Sequence, residues 1–105
     1  MLSNLLIPWH PIAPEQGVAL ECELARELGP AHAIQGRTAK AIAVRQDCDD
    51  VLFELDEGKS GYAVVHLTWI MKMETTPNYP STELFPSLEA WRAQCMVPDA
   101  EDWNS

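Results

Sequence analysis

The chain has 105 residues, a net charge of −9 from 16 acidic and 7 basic residues, and 47 % hydrophobic residues. This length and composition predict one globular domain with its own core and argue against wholesale disorder. The negative field repels nucleic acid and anionic lipid, whereas a basic protein partner or a cationic ligand is electrostatically allowed.

Cellular location is indicated by two features of the sequence. Residues 1–7 are apolar but too short for a transmembrane helix, and they lack the basic flank of a signal peptide. The three cysteines, Cys22, Cys48 and Cys95, match neither a disulfide framework nor a C-x-x-C motif. We therefore expect reduced thiols, no membrane association and a cytoplasmic protein.

The first 28 residues are predicted to form an arm and a helix. Pro8, Pro11 and Pro14 disfavour helix before them, so residues 1–14 are expected to be extended. Pro14 suits the first turn of a helix that follows, and Gly29 with its neighbouring proline ends it. Apolar residues recur every fourth position along that helix, at Leu20, Leu24 and Leu28.

Three segments, 38–45, 51–56 and 62–70, alternate with the two-residue period of β-strands. Their short polar connections favour antiparallel neighbours. In the first strand the pattern places Ala39, Ala41 and Ala43 on one face. The alanines also permit a helix, but the β-branched Ile42 and Val44 favour the strand. A fourth edge strand over 32–35 is an alternative, and residues 74–82 are predicted to be a proline-containing loop.

A second helix is predicted to begin at Ser87, a favourable N-cap, and to end at Pro98. Residues 97–105 are expected to form an acidic tail. The order of elements predicts an α+β fold, namely a three- or four-stranded antiparallel meander flanked by an N-terminal and a C-terminal helix. We expect one domain over residues 1–105, with both helices on the same face of the sheet.

No nucleotide-binding, zinc-protease or serine-hydrolase motif occurs, so candidate residues rest on their individual chemistry. His66 is the foremost candidate, because histidine titrates near neutral pH and a strand would hold it rigidly. A packed, purely structural histidine is the alternative. The residues expected to bind a ligand or partner are His66, Trp69, His32, Glu23, Asp49, Asp50 and Tyr79.

Six acidic residues fall within the eleven positions from Asp47 to Glu57. Carboxylates suit a hard cation, but the spacing does not match a calcium loop. A solvated turn capped by aspartate and a docking patch for a basic partner are the other interpretations. We predict no metal and no cofactor.

Several segments resemble a family of small uncharacterised bacterial proteins. They are Asp49-Asp50-Val51-Leu52-Phe53, Ala63-Val64-Val65-His66-Leu67-Thr68-Trp69, and Tyr79-Pro80-Ser81-Thr82 followed by Glu89 and Trp91, with Glu23-Leu24, Glu27-Leu28 and His32 before them. The resemblance spans residues 20–96 and implies a shared fold without an activity. The chain is also similar in size to products of mobile gene cassettes.

Three functions stay open at this point. The leading hypothesis is a non-enzymatic module that recognises a protein or small ligand through an open sheet face and the loop 75–80, with a homodimer contact possible through exposed Trp9 or Trp103. The second is a histidine/acid-based or metal-assisted enzyme in which His66, His32 and Glu23 converge. The third is an immunity-type inhibitor whose acidic charge steers it to a basic partner.

Overall fold

The computed structural model of the chain describes residues 5–29, 32, 34–48, 50–67 and 81–104. Within these residues, one antiparallel sheet runs in sequence order through five strands. These are β1 (Trp9–His10), β2 (Ala39–Arg45), β3 (Asp50–Leu55), β4 (Tyr62–His66) and β5 (Ser81–Phe85). The helices are α1 (Pro14–Glu27), α2 (Leu88–Trp91) and α3 (Val97–Asn104), with a π-helical turn, Arg92–Met96, between the last two. The predicted α+β class, the meander and its flanking helices are confirmed.

The prediction of three or four strands is wrong, because two further strands lie at the edges of the sheet. β1 falls within the expected extended arm and pairs with the end of β2. β5 begins inside the expected loop and pairs with β4 along its whole length. The alternative strand at 32–35 does not form where the structure describes it. There, the Ile34 N–H bonds to His32 Nδ1 and the Gln35 N–H to the His32 carbonyl, which closes a local turn.

The two helical segments cover opposite faces of the sheet, which corrects the expectation that they share one face. The face under α1 forms the α1 core, made of Leu20, Leu24, Leu28, Ile34, Ala41, Val51, Phe53, Leu55, Ala63, Val65 and Leu67. The other face forms the Trp91 core, made of Trp9, Ala43, Leu52, Val64, Phe85, Trp91 and Met96. Both faces of the central strands are therefore buried. This explains why Leu52 and Val64, which face away from α1, are also apolar.

A β-bulge at Ile42 allows β2 to contribute to both cores. The register pairs Ala41 with Phe53 and then Ala43 with Leu52, so Ile42 is the extra residue. Beyond the bulge the alternation of side chains shifts by one position. The predicted shared face of the three alanines is therefore wrong at Ala43, which lies in the Trp91 core.

The boundaries of the helices follow local signals except at Pro98. α1 begins at Pro14, and Ser87 caps the C-terminal segment by accepting the Ala90 N–H on its Oγ at 3.1 Å. Both predictions are confirmed. The helix does not end at Pro98, and α3 replaces most of the expected acidic tail. The wider π-helical turn before Pro98 accommodates a proline, which has no N–H for an i−4 bond.

The arm before α1 is fixed to the C-terminal segment through Trp9. Its Nε1 donates to Asp99 Oδ2 at 2.9 Å, and its ring meets that of Trp91 edge-on, with centroids 5.2 Å apart. Trp9 is only 1 % exposed and so cannot be the surface contact considered above, whereas Trp103 is 43 % exposed. None of the helices in the described ranges is long and apolar enough to cross a membrane.

Candidate ligand-binding site

His66 and Asp50 meet at one end of the β3–β4 pair. They are direct partners in the register, and His66 Nδ1 lies 2.7 Å from Asp50 Oδ1. Cys48, in the turn before β3, joins them, so that one ligand atom from each residue lies within 4.8 Å of the others. The His66 side chain is 54 % exposed and that of Asp50 is 25 % exposed. This trio, the Cys48 cluster, therefore presents sulfur, oxygen and nitrogen donors to solvent.

The Cys48 thiol differs from that of an activated nucleophile. Burial raises its pKa, and the nearby Asp50 carboxylate adds to the shift, although hydrogen bonding to the Asp50 backbone opposes it. A thiol with a raised pKa is mostly protonated at neutral pH and is a poor nucleophile. The environment of Cys48 therefore disfavours thiolate catalysis.

Beside the Cys48 cluster lies a solvent-facing hollow of about 350 Å³. Glu83 of β5 lines it together with Asp50 and His66. Ser81 lies directly across from His66 in the register, and Glu83 is two positions further along the same face. Two carboxylates and an imidazole therefore line the hollow.

The two histidines of the enzyme hypothesis lie on opposite sides of the sheet. His32 is buried, and its Nε2 is 3.2 Å from Thr82 Oγ1. Thr82 pairs with Val65 of the α1 core, whereas His66 is the next residue in β4 and faces the other way. Convergence of His66 with His32 in one cleft does not occur.

Glu23 is placed apart from His66 as well. It is fully buried on α1, and its Oε1 lies 3.7 Å from Arg26 Nη1, an i,i+3 ion pair. Of the remaining candidates, Asp49, Trp69 and Tyr79 lie outside the described residues, and so does the loop 75–80. Their roles stay predictions.

A larger groove opens at the opposite end of the β3–β4 pair. It has a volume of about 660 Å³ and lies beside the part of β2 that β1 does not pair with. We call it the Tyr62 groove; it is lined by Pro11, Ile12, Lys40, Ala41, Ile42, Glu54, Tyr62 and Leu88. Its size and mainly apolar lining are typical of sites for small molecules.

Three polar side chains form a row across the Tyr62 groove. The register pairs Lys40 with Glu54 and Glu54 with Tyr62, so the three occupy adjacent strands. Burial raises the pKa of Tyr62, and the carboxylates of Glu54 and Glu89 raise it further, so the phenol stays protonated and can donate. Among the described residues, Lys40 and Glu54 both line the groove without forming an ion pair with each other.

Lys40, Glu54 and Cys48 were not among the residues predicted to form a site. The signal for the first two was their outward position in strands already predicted. Recognising them as neighbours required the register, which depends on the bulge at Ile42. Comparison with known protein families, curated proteins and solved structures finds no match to this chain.

Proposed function

We propose that the chain is a small binding module whose ligand is a zwitterionic organic molecule with an apolar body, such as a short apolar peptide, held in the Tyr62 groove. The observation that carries the proposal is the row of Lys40, Glu54 and Tyr62 beside the apolar residues that line the same groove. The proposed setting is the cytoplasm, where the free thiols of the chain stay reduced.

Charge and shape support a ligand of this class. Lys40 offers an ammonium to a carboxylate, and Glu54 offers a carboxylate to an ammonium, one strand away at about 5 Å. Ile12, Ile42 and Leu88 supply apolar contact for side chains between those ends. A ligand with only one charge would leave the other protein charge without a partner.

Only part of the sheet is open for recognition of a ligand. The C-terminal helical segment covers the face at Leu52 and Val64. The uncovered part is the Tyr62 groove, which borders Leu88 of α2. Recognition is therefore proposed at one end of the sheet rather than across it.

A titration followed by ¹⁵N–¹H NMR spectra tests the proposal with three probes. These are the dipeptide leucyl-leucine, its N-acetylated form and its C-terminal amide. We expect the free dipeptide to bind most tightly and to shift the amide signals of Lys40, Glu54 and Tyr62. Loss of one charged hydrogen bond is expected to weaken binding about ten- to hundredfold.

Two variants assign the charges. Lys40→Met should weaken binding of the two probes with a free carboxylate and spare the amide. Glu54→Gln should weaken the two probes with a free ammonium and spare the acetylated form. Lys59→Met and Glu101→Gln, at exposed positions outside the groove, are the charge-matched controls. Equal affinity for all three probes, or no binding of any of them, would refute the proposal.

A further inference from the structure

The Cys48 cluster is separate from the Tyr62 groove. Tyr62 and His66 are the first and last residues of β4, so about 13 Å of strand lies between the two sites. The cluster combines three different ligand types whose donor atoms lie within 4.8 Å of one another. No role in the proposed ligand recognition accounts for that convergence.

We propose that Cys48, Asp50 and His66 bind a zinc-class divalent transition-metal ion. Thiolate sulfur, imidazole nitrogen and carboxylate oxygen are the donors that zinc takes in proteins, at roughly 2.0 to 2.3 Å. Calcium and magnesium prefer shells made only of oxygen, so a mixed set with sulfur and nitrogen points away from them.

The geometry needs only small side-chain movements. Donor atoms in a tetrahedral zinc shell lie about 3.3 to 3.8 Å apart, given those bond lengths. The donor atoms of Cys48, Asp50 and His66 are all within 4.8 Å of one another, although His66 Nδ1 and Asp50 Oδ1 must separate from their 2.7 Å hydrogen bond. The exposed His66 ring has room to turn. On binding, the metal displaces the Cys48 thiol proton, which leaves to solvent, and the His66 ring takes the tautomer with its proton on Nε2, so that Nδ1 can coordinate.

The backbone already fixes two of the three ligands. Asp50 and His66 are held opposite each other by the β3–β4 ladder, and Cys48 lies two residues before Asp50. Three protein ligands leave the fourth position open to water or an external group. Two of the three ligands, Asp50 and His66, line the hollow beside Glu83.

The surrounding charges favour a cation. Glu83 lines the same hollow, and Asp47 lies next to Cys48 in the turn. The charge of Arg45 acts on Cys48, but its guanidinium lies 2.8 Å from Asp47 and 3.4 Å from Asp99. Because two carboxylates offset its charge, Arg45 does not leave the site positive.

This inference reverses the expectation of no metal, which rested on the spacing of the acidic residues and on the absence of C-x-x-C and zinc-protease motifs. The acidic turn supplies only Asp50 as a ligand, and His66 comes from the next strand. A Cys-x-Asp pair that is completed by a histidine 16 residues later forms no recognised motif, so only the fold reveals it.

Titration of the metal-free full chain with Co²⁺ and Zn²⁺ tests the site. We expect one ion per chain, with a thiolate-to-cobalt charge-transfer band and the visible bands of tetrahedral cobalt. Cys48→Ser should abolish the charge-transfer band, and His66→Gln and Asp50→Asn should each weaken Zn²⁺ binding at least tenfold. Cys22→Ser and His10→Gln are the matched controls and should bind as the parent does.

Circular dichroism of each variant shows whether it is folded. If Cys48→Ser does not fold, His66→Gln at its exposed position still decides the question. Absence of the charge-transfer band in the parent chain, or equal Zn²⁺ affinity in His66→Gln and His10→Gln, overturns the proposal. Because the dipeptide titration uses metal-free protein, failure of either proposal leaves the other intact.

Discussion

Gly61 is the position in the β3–β4 hairpin at which an added side chain should be most damaging. Its φ is +82°, in the left-handed region, and a Cβ there would lie 2.4 Å from the carbonyl oxygen of Phe85 in β5. The left-handed backbone costs an alanine about 1–2 kcal/mol. The clash is with backbone, so β5 must move, which adds about 1–3 kcal/mol. Gly61→Ala is therefore expected to lower the free energy of unfolding by about 2–5 kcal/mol.

Gly36 provides the matched control for this prediction. Its φ is +86°, but no described atom lies within 4 Å of a Cβ built there. Gly36→Ala should therefore show the backbone cost alone. The stability of both variants is measured by urea and thermal unfolding, followed by tryptophan fluorescence and circular dichroism. In a domain of this size, each kcal/mol of destabilisation should lower the Tm by about 4–8 °C. Equal destabilisation of the two would refute the argument for a close approach of β5.

Two further predictions concern titratable groups. The pKa of Asp56 is lowered by hydrogen bonds from the Ser60 hydroxyl and, next in size, from the Thr38 N–H. The Asp56 carboxylate therefore contributes stability above its unfolded-state pKa of about 3.9, and this contribution is lost as the pH falls through its lower folded-state pKa. Asp56→Asn should flatten the decline in stability below about pH 4; a decline as steep as in the charge-matched Glu101→Gln would contradict this. Burial, and next the nearby Asp99 carboxylate, raise the pKa of Cys95 to about 12, whereas Cys22 is exposed. Iodoacetamide at about pH 8 should therefore alkylate Cys22 far sooner than Cys95 in the native protein, and should alkylate both thiols in urea. Equal native rates, measured by peptide mass spectrometry, would contradict the burial of Cys95.

The sequence predicted the elements that rest on local signals. α1 follows from the leucines at every fourth position, and the start of α2 follows from the capping hydroxyl of Ser87. β1 was missed because its two residues sit among prolines and have little pattern of their own. Its anchor is the bond from Trp9 to Asp99, which no local pattern reveals.

Only part of each candidate site could be predicted, because the sequence gives the type of each residue but not the register in which the strands pair. His66 and Asp50 were identified one by one, but their contact depends on the register of β3 and β4. Cys48 was considered only as a reduced thiol. The row across the Tyr62 groove was likewise hidden, since the bulge at Ile42 sets which residue of β2 lies opposite Glu54.

The Trp9–Asp99 hydrogen bond can form only late in synthesis at the ribosome. It joins residues 90 positions apart, and Trp91, the other partner of Trp9, is made almost as late. The hairpins from β2 to β4 can close earlier, because their contacts are local. Until α3 is made, β1 lacks its anchor and the β2 edge near Val44 is open to pairing with other chains. A nascent chain is therefore more prone to intermolecular strand pairing than the finished protein.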